Sequence, residues 1–250
     1  MHDQDDLQDD LTRWNVVGPA YADAVGGGLD SITLRFWDFL WRGLGDLDGC
    51  RVLDVGCGHG WLAGAMAARG AEVSGVDGSA SLVEIARRGH PEVRFELADL
   101  VEGLPPALRD GAFDRVVAHM VLMDLPTIAP VLRDVGACLA PQGTFIVTML
   151  HPSFFLQSPV EDPVTGERYR KVTGYLDPEM WWVESFGGHR HYHRPFSEYV
   201  NELASAGLTI VEMIEPPTPT APTSDRDAGW SAWFATIPTT LGLVCAKRSL

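Results

Sequence analysis

Arg51-Val-Leu-Asp-Val-Gly-Cys-Gly-His-Gly60 is the stretch on which the fold turns. Its first half is β-branched and aliphatic and reads as a strand. Its second half places glycine at 56, 58 and 60, where the missing Cβ permits positive φ and lets main chain press against a ligand. Trp61-Leu-Ala-Gly-Ala-Met-Ala-Ala-Arg69 follows, good helix formers with Gly70 as a stop. The loop thus leads a strand into a helix N-terminus with free N–H groups, which makes a binding cradle.

Downstream, Ala71-Glu-Val-Ser-Gly-Val-Asp77 is a second apolar strand with a carboxylate at its C-terminal end, where ligands lie in open α/β sheets. Such a carboxylate can accept hydrogen bonds from both hydroxyls of a ribose. Dinucleotide-binding loops carry their third glycine one residue later than Gly60, at the position held here by Trp61. No pyrophosphate is implied, and a nicotinamide-dependent oxidoreductase is the disfavoured alternative.

Outward from this stretch, strands are expected near 51–55, 71–76, 92–97, 113–118 and 143–149, with helices near 61–69, 80–89 and 127–139. Alternation of this kind predicts a parallel sheet wound on both faces. Pro126, Pro130 and Pro141 mark helix starts and a turn. A helix from Ser197 to Gly207 and an antiparallel hairpin of 208–215 with 237–247 complete an α/β, Rossmann-like, seven-stranded sheet. Residues 216–236, rich in proline, form a loop expected to fold back toward the segment before it. That segment, about 151–196, is too long for a plain connection and reads as a cap over the site.

Upstream, residues 1–10 carry five aspartates and read as a solvated tail. Trp14, Val17, Tyr21 and Val25 then recur at helical spacing, interrupted at Gly18-Pro19. Gly26-Gly27-Gly28 reads as a hinge, and Ser31 to Trp41 as a second amphipathic helix. The chain divides into tail and helical lid (1–49), core (50–150), cap (151–196) and closing helix and strands (197–250).

A formal charge of −15 and a pI near 4.8 oppose polyphosphate partners, so nucleic acids are disfavoured. Cys50, Cys57, Cys138 and Cys245 lack C-x-x-C spacing and read as reduced thiols. The acidic amino terminus is unlike a secretory signal, and no apolar run reaches membrane-spanning length; a cytoplasmic protein, monomer or homodimer, is expected.

The ordered set Asp54-Val-Gly-Cys-Gly-His-Gly60, Asp77, Ala98-Asp99-Leu100, Phe113-Asp-Arg-Val-Val-Ala-His119 and Leu139-Ala-Pro-Gln-Gly-Thr-Phe-Ile-Val147 resembles the successive motifs of class I S-adenosylmethionine-dependent methyltransferases. The resemblance covers roughly two-fifths of the chain. It implies S-adenosylmethionine as cofactor and S-adenosylhomocysteine as product. Gly56, Cys57 and Gly58 would lie along the methionine part, Asp77 on the ribose hydroxyls, Asp99 on the adenine amino group and Leu100 beside the ring. Asp54, Gly60, Trp61, Gly78 and Ala118 fall in the same binding stretches, and His119 falls where cofactor meets acceptor. Tyr21 matches a tyrosine that closes over the sulfonium in similar enzymes. His151-Pro152 and Tyr192-His-Arg-Pro-Phe-Ser-Glu-Tyr199 resemble a ubiquinone/menaquinone-biosynthesis-like branch that includes natural-product tailoring enzymes, among them indole methyltransferases. A catalytically silent cofactor-binding protein on this fold is a further alternative.

In the cap, Phe154, Phe155, Tyr169, Tyr175, Trp181, Trp182, Phe186 and Tyr192 make a dense aromatic group. With Tyr21 and Met123 they favour a flat acceptor such as a phenol, indole or amine; burying the insertion would also need aromatics. His119, His151 and His193 are the candidate general bases, because imidazole takes a proton near neutral pH. His189, His191 and His193 alternate, as on one face of a strand. Nearby sequence offers them no carboxylate, and Asp124 stands alone after the fourth strand, so no metal is expected.

Overall fold

The computed structural model describes residues 4–109, 112–155, 159–217 and 236–248. Strands β1 (Arg51–Val55), β2 (Glu72–Asp77), β3 (Arg94–Leu97), β4 (Phe113–His119) and β5 (Leu139–Leu150) pair in parallel. β10 (Leu208–Ile214) and β11 (Thr240–Lys247) close the sheet antiparallel, giving the order β10-β11-β5-β4-β1-β2-β3. The chain winds outward from β1 and then restarts at β4 on its other side. This reversal opens a crevice at the carboxyl ends of β1 and β4.

Two apolar layers sandwich the sheet. On one face α2 (Thr33–Leu44), α3 (Trp61–Ala67) and α4 (Ala80–Gly89) bring Phe36, Leu40, Met66 and Val83 against Val52 and Ile146. On the other, α5 (Pro106–Arg109), α6 (Ala129–Cys138) and α7 (Phe196–Ser205) bring Leu108, Leu132 and Leu203 against Leu53 and Phe145. Phe145 is wholly buried, so truncating it to alanine would cost about 3–5 kcal/mol.

Three departures from the sequence reading matter for the site. Helix α1 (Gln4–Val25) begins within the supposed tail and continues through Gly18-Pro19. A Cβ at Gly18 would lie 2.7 Å from the Ser81 Oγ and 3.0 Å from Leu82, so the missing side chain lets α1 rest on α4. The cap, whose sequence reads as a long irregular segment, carries strands of its own: β6 (Pro159–Glu161) pairs with β7 (Arg168–Arg170), and β8 (Glu179–Val183) with β9 (His189–His193). Finally, the glycine joint is packed at both ends. Gly26 O accepts from a His59 ring N–H at 2.7 Å, and a Cβ at Gly28 would stand 2.4 Å from the Trp61 ring. Most of the loop expected at 216–236 lies outside the described residues, and so does any contact it makes with the cap.

Candidate active site

A cavity of about 240 Å³ occupies the crevice, roofed by α1. One side is made by the chain turns after β1, β2 and β3, through Gly58, Asp77, Gly78, Asp99 and Leu100. The opposite side is made by Trp14, Asp124, Phe155, Phe186, His189 and His191. Tyr21, Thr33 and His119 stand between them.

The three loop glycines do different work. Gly56 (φ 70°) lies under Val121, whose side chain would be 2.3 Å from an added Cβ. Gly60 (φ 85°) abuts Ala86 and Phe95, so a side chain there would push α4 off the loop. Gly58 (φ 53°) alone faces Tyr21 across the cavity, 3.4 Å from where its Cβ would be. Its N–H donates to Asp77 Oδ2 at 2.8 Å, and the Ser79 N–H donates to Oδ1 at 2.8 Å. Each carboxylate oxygen keeps a further lone pair. An open backbone face beside an oriented carboxylate fits an adenosyl group with its ribose on Asp77.

Five aspartates line the cavity, Asp10, Asp30, Asp77, Asp99 and Asp124, and no lysine or arginine joins them among the described residues. Such a wall attracts a cation and repels a diphosphate, which fits a sulfonium and speaks against a nicotinamide dinucleotide. Burial raises Asp77 above the usual carboxylate range, opposed by the N–H groups of Ser79 and Gly58. Beneath the loop, burial and the charge of Asp77 push Asp54 up to about 7. Burial, followed by the same anions, raises the Tyr21 hydroxyl.

His119 ends β4 with both ring nitrogens engaged: Nδ1 lies 2.6 Å from the Thr148 Oγ1 and Nε2 3.2 Å from the Thr33 Oγ1. Burial pushes it down to about 4, so at neutral pH it is an uncharged, hydrogen-bonded wall. His151 and His193 do not line this cavity. The His151 Nδ1 accepts from the Ser153 N–H at 3.1 Å and Nε2 reaches Glu215 at 2.9 Å. The His193 Nε2 donates to the Tyr175 carbonyl at 2.9 Å, and its ring stacks on Trp181. Both border a separate hollow of about 20 Å³.

Of the remaining cofactor candidates, Asp54, Cys57, Gly60, Trp61 and Ala118 lie beneath the cavity wall, where they pack the loop rather than face a ligand. Of the acceptor candidates, Tyr21 and Met123 line the cavity and six aromatics do not. Phe154 leans on His151. Tyr169 and Trp182 are half exposed, with Trp182 under the Arg13 guanidinium. The Tyr175 hydroxyl accepts the Phe196 N–H at 2.8 Å, Trp181 sits in the smaller hollow, and the Tyr192 hydroxyl bonds Asp10. These side chains hold the cap together, the other role open to aromatics in an insertion.

Phe155 and Phe186 of the cap's aromatic group do line the wall, joined there by Trp14, Asp30, Thr33, Asp124, His189 and His191. Trp14 stands two helical turns before Tyr21 and packs edge-on against it, with centroids 5.7 Å apart. Asp124 ends a 3₁₀ turn, Leu122–Asp124, just beyond β4. The turn starts from Met120, whose φ of 57° reverses the chain sharply. The alternation of histidines on β9 was visible in sequence. Their partner Asp124 was not, because it lies more than sixty residues earlier and meets them only when β9 docks on that turn.

Residues 25–213 match the family model described as a methyltransferase domain. A ubiquinone biosynthesis O-methyltransferase of Alkalilimnicola ehrlichii is 37% identical over 117 residues, 46% of this chain and 47% of that one. A magnesium-protoporphyrin O-methyltransferase of Rhodobacter capsulatus is 43% identical over 98 residues, 36% of this chain and 42% of that one. The chain therefore spans about half the length of the curated relatives it matches. A Listeria monocytogenes structure assigned as an S-adenosylmethionine dependent methyltransferase superposes with a TM-score of 0.71 at 25% identity, over 88% of this chain and 100% of that one.

Proposed function

The chain belongs to the methyltransferase domain family, and from that premise we propose that its cavity serves methyl transfer from S-adenosylmethionine to an oxygen of a small aromatic acceptor. The observation that carries this reading is the asymmetry of the cavity, a bare backbone and carboxylate cradle facing a ring-lined wall with no cationic side chain. The relatives' names, both O-methyltransferases, favour oxygen over nitrogen or carbon. The resemblance to tailoring enzymes points to an acceptor from secondary metabolism.

When bound, the cofactor supplies an electrophilic methyl on a positively charged sulfur that becomes neutral as the methyl departs. Gly58 and Asp77 hold the adenosyl end, and Asp99 and Leu100 flank the base. Tyr21, Trp14 and Phe186 exclude water, and the five carboxylates favour the cation. Under such conditions alignment in a dry site supplies most of the acceleration. Neutral His119, fixed between two threonine hydroxyls, positions the boundary between the two ligands and is a poor base near pH 7. The test is calorimetry with S-adenosylhomocysteine, then incubation with S-adenosylmethionine and a panel of phenols, indoles and amines read by a mass gain of one methylene. Binding without turnover of any acceptor would favour the silent cofactor-binding alternative. Absence of binding would end the proposal.

A further inference from the structure

His189 and His191 are both more than nine-tenths buried, at 3% and 7% exposure, and both point into the cavity wall. Their Nε2 atoms lie 3.0 Å apart, and the His191 Nε2 lies 3.0 Å from the Asp124 Oδ1. The three ligand atoms all fall within 4.8 Å of one another. The His189 Nδ1 faces the Ser185 carbonyl at 3.3 Å, and a carbonyl can only accept. The proton of a neutral His189 therefore sits on Nδ1, and Nε2 presents a lone pair.

The hydrogen-bond count does not close with protein atoms alone. The His191 Nε2 carries at most one proton, and two acceptors stand 3.0 Å from it. Directed at His189, that proton leaves the Asp124 Oδ1 buried without a hydrogen-bond partner among the described residues. A buried carboxylate oxygen in that condition is costly. A cation would meet all three lone pairs at once, with the His191 proton then on Nδ1, an atom that has no hydrogen-bond partner among the described residues. The Nδ1–H to carbonyl contact of His189 is also the outer arrangement that orients a metal-bound imidazole. Rings fix both imidazoles in place: Trp14 packs at 4.8 Å and Phe186 at 6.0 Å from His189, and Phe155 at 5.9 Å from His191.

We propose that Asp124, His189 and His191 form a divalent metal site that holds the acceptor's hydroxyl oxygen opposite the cofactor cradle. Two imidazoles and one carboxylate select a borderline transition ion such as zinc, cobalt or iron(II) over magnesium or calcium. The substrate class is accordingly a phenol or catechol. Coordination acidifies the hydroxyl, whose proton passes to solvent. An oxygen lone pair then forms the O–CH₃ bond as the S–CH₃ bond breaks, its electron pair remaining on sulfur. The role given to the metal in transfer rests on the methyltransferase reading; its binding does not.

The probe is cobalt(II), titrated into the chelator-treated full chain and followed by visible d–d absorption, with S-adenosylhomocysteine calorimetry on the same samples. One equivalent is expected to bind. His191→Asn and Asp124→Asn are each expected to weaken uptake by roughly 100-fold or more, since outer-shell changes alone cost 10–100-fold. Circular dichroism checks that the variants fold, and His189→Gln serves as a second variant should either fail. Adding 4-nitrocatechol to the cobalt form is expected to shift the bands. No stoichiometric uptake, or uptake equal in all variants, overturns the site; unshifted bands overturn the hydroxyl ligation. S-adenosylhomocysteine binding without cobalt uptake refutes the metal and leaves the methyltransferase reading standing; cobalt uptake without S-adenosylhomocysteine binding refutes that reading and the metal's role in transfer, and leaves the metal site standing.

Discussion

The two sides of the cavity are built in different ways. The cradle comes from Gly56 through Leu100, one unbroken run in which each strand's end supplies the next contact. The wall comes from Asp10, Trp14, Asp124, Phe155, Phe186, His189 and His191, parts of the chain brought together by the docking of α1 and β9. Backbone conformation sets the first, and side-chain packing sets the second. Substitutions in the cradle should therefore act on cofactor affinity, and those in the wall on the acceptor or on stability.

The largest expected effect is on the cradle. Asp77→Ala removes the acceptor of both loop N–H groups and should weaken S-adenosylhomocysteine by about 100-fold, or ~2.7 kcal/mol, in calorimetry. Near-wild-type affinity would sink the assignment of the ribose to this edge. On the wall, Trp14→Ala should raise the acceptor KM about 10-fold, ~1.4 kcal/mol for a lost ring contact, with cofactor affinity unchanged. Trp182→Ala, outside the cavity, should leave both alone; if it mimics Trp14→Ala, the wall has been drawn in the wrong place.

Smaller effects concern what joins the two sides. Asp10 pairs with Arg190 at 2.9 Å and with the Tyr192 hydroxyl. Asp10→Asn should lower the thermal midpoint by about 3 °C, the equivalent of ~1 kcal/mol at this size, as followed by circular dichroism. An effect of similar size is electrostatic. His119 is held below its unfolded value, so on acidification from pH 6.5 toward 4 the unfolded chain takes up a proton that the folded one refuses, and stability falls. In His119→Gln this part of the acid loss should vanish. Urea unfolding at pH 7.5 and 5.5 gives the comparison, and an equal loss in both proteins would show that His119 is protonated when folded.

The sheet was legible because its signals are local. β1 and α4 fall at the expected residues, since apolar runs, glycine turns and caps act within a few positions. The cradle was legible for the same reason. The wall was not, because whether Trp181 or Phe186 reaches the cavity depends on how a hairpin sits, which no spacing encodes. His191 faces Asp124, while His193 on the same strand turns to Trp181 in another hollow. The start of α1 was missed because five aspartates suggest repulsion, whereas one of them, Asp10, finds an arginine 180 residues away.

Besides the Asp10 contacts, helix α1 is fastened on both sides of the cavity. Asn15 accepts from Ser79 and Ser81 beside the cradle, and Arg13 donates to the Gly187 and Gly188 carbonyls beside the wall. One helix therefore touches the cradle and the wall at once, and a change that loosens it should disturb both sides of the cavity together.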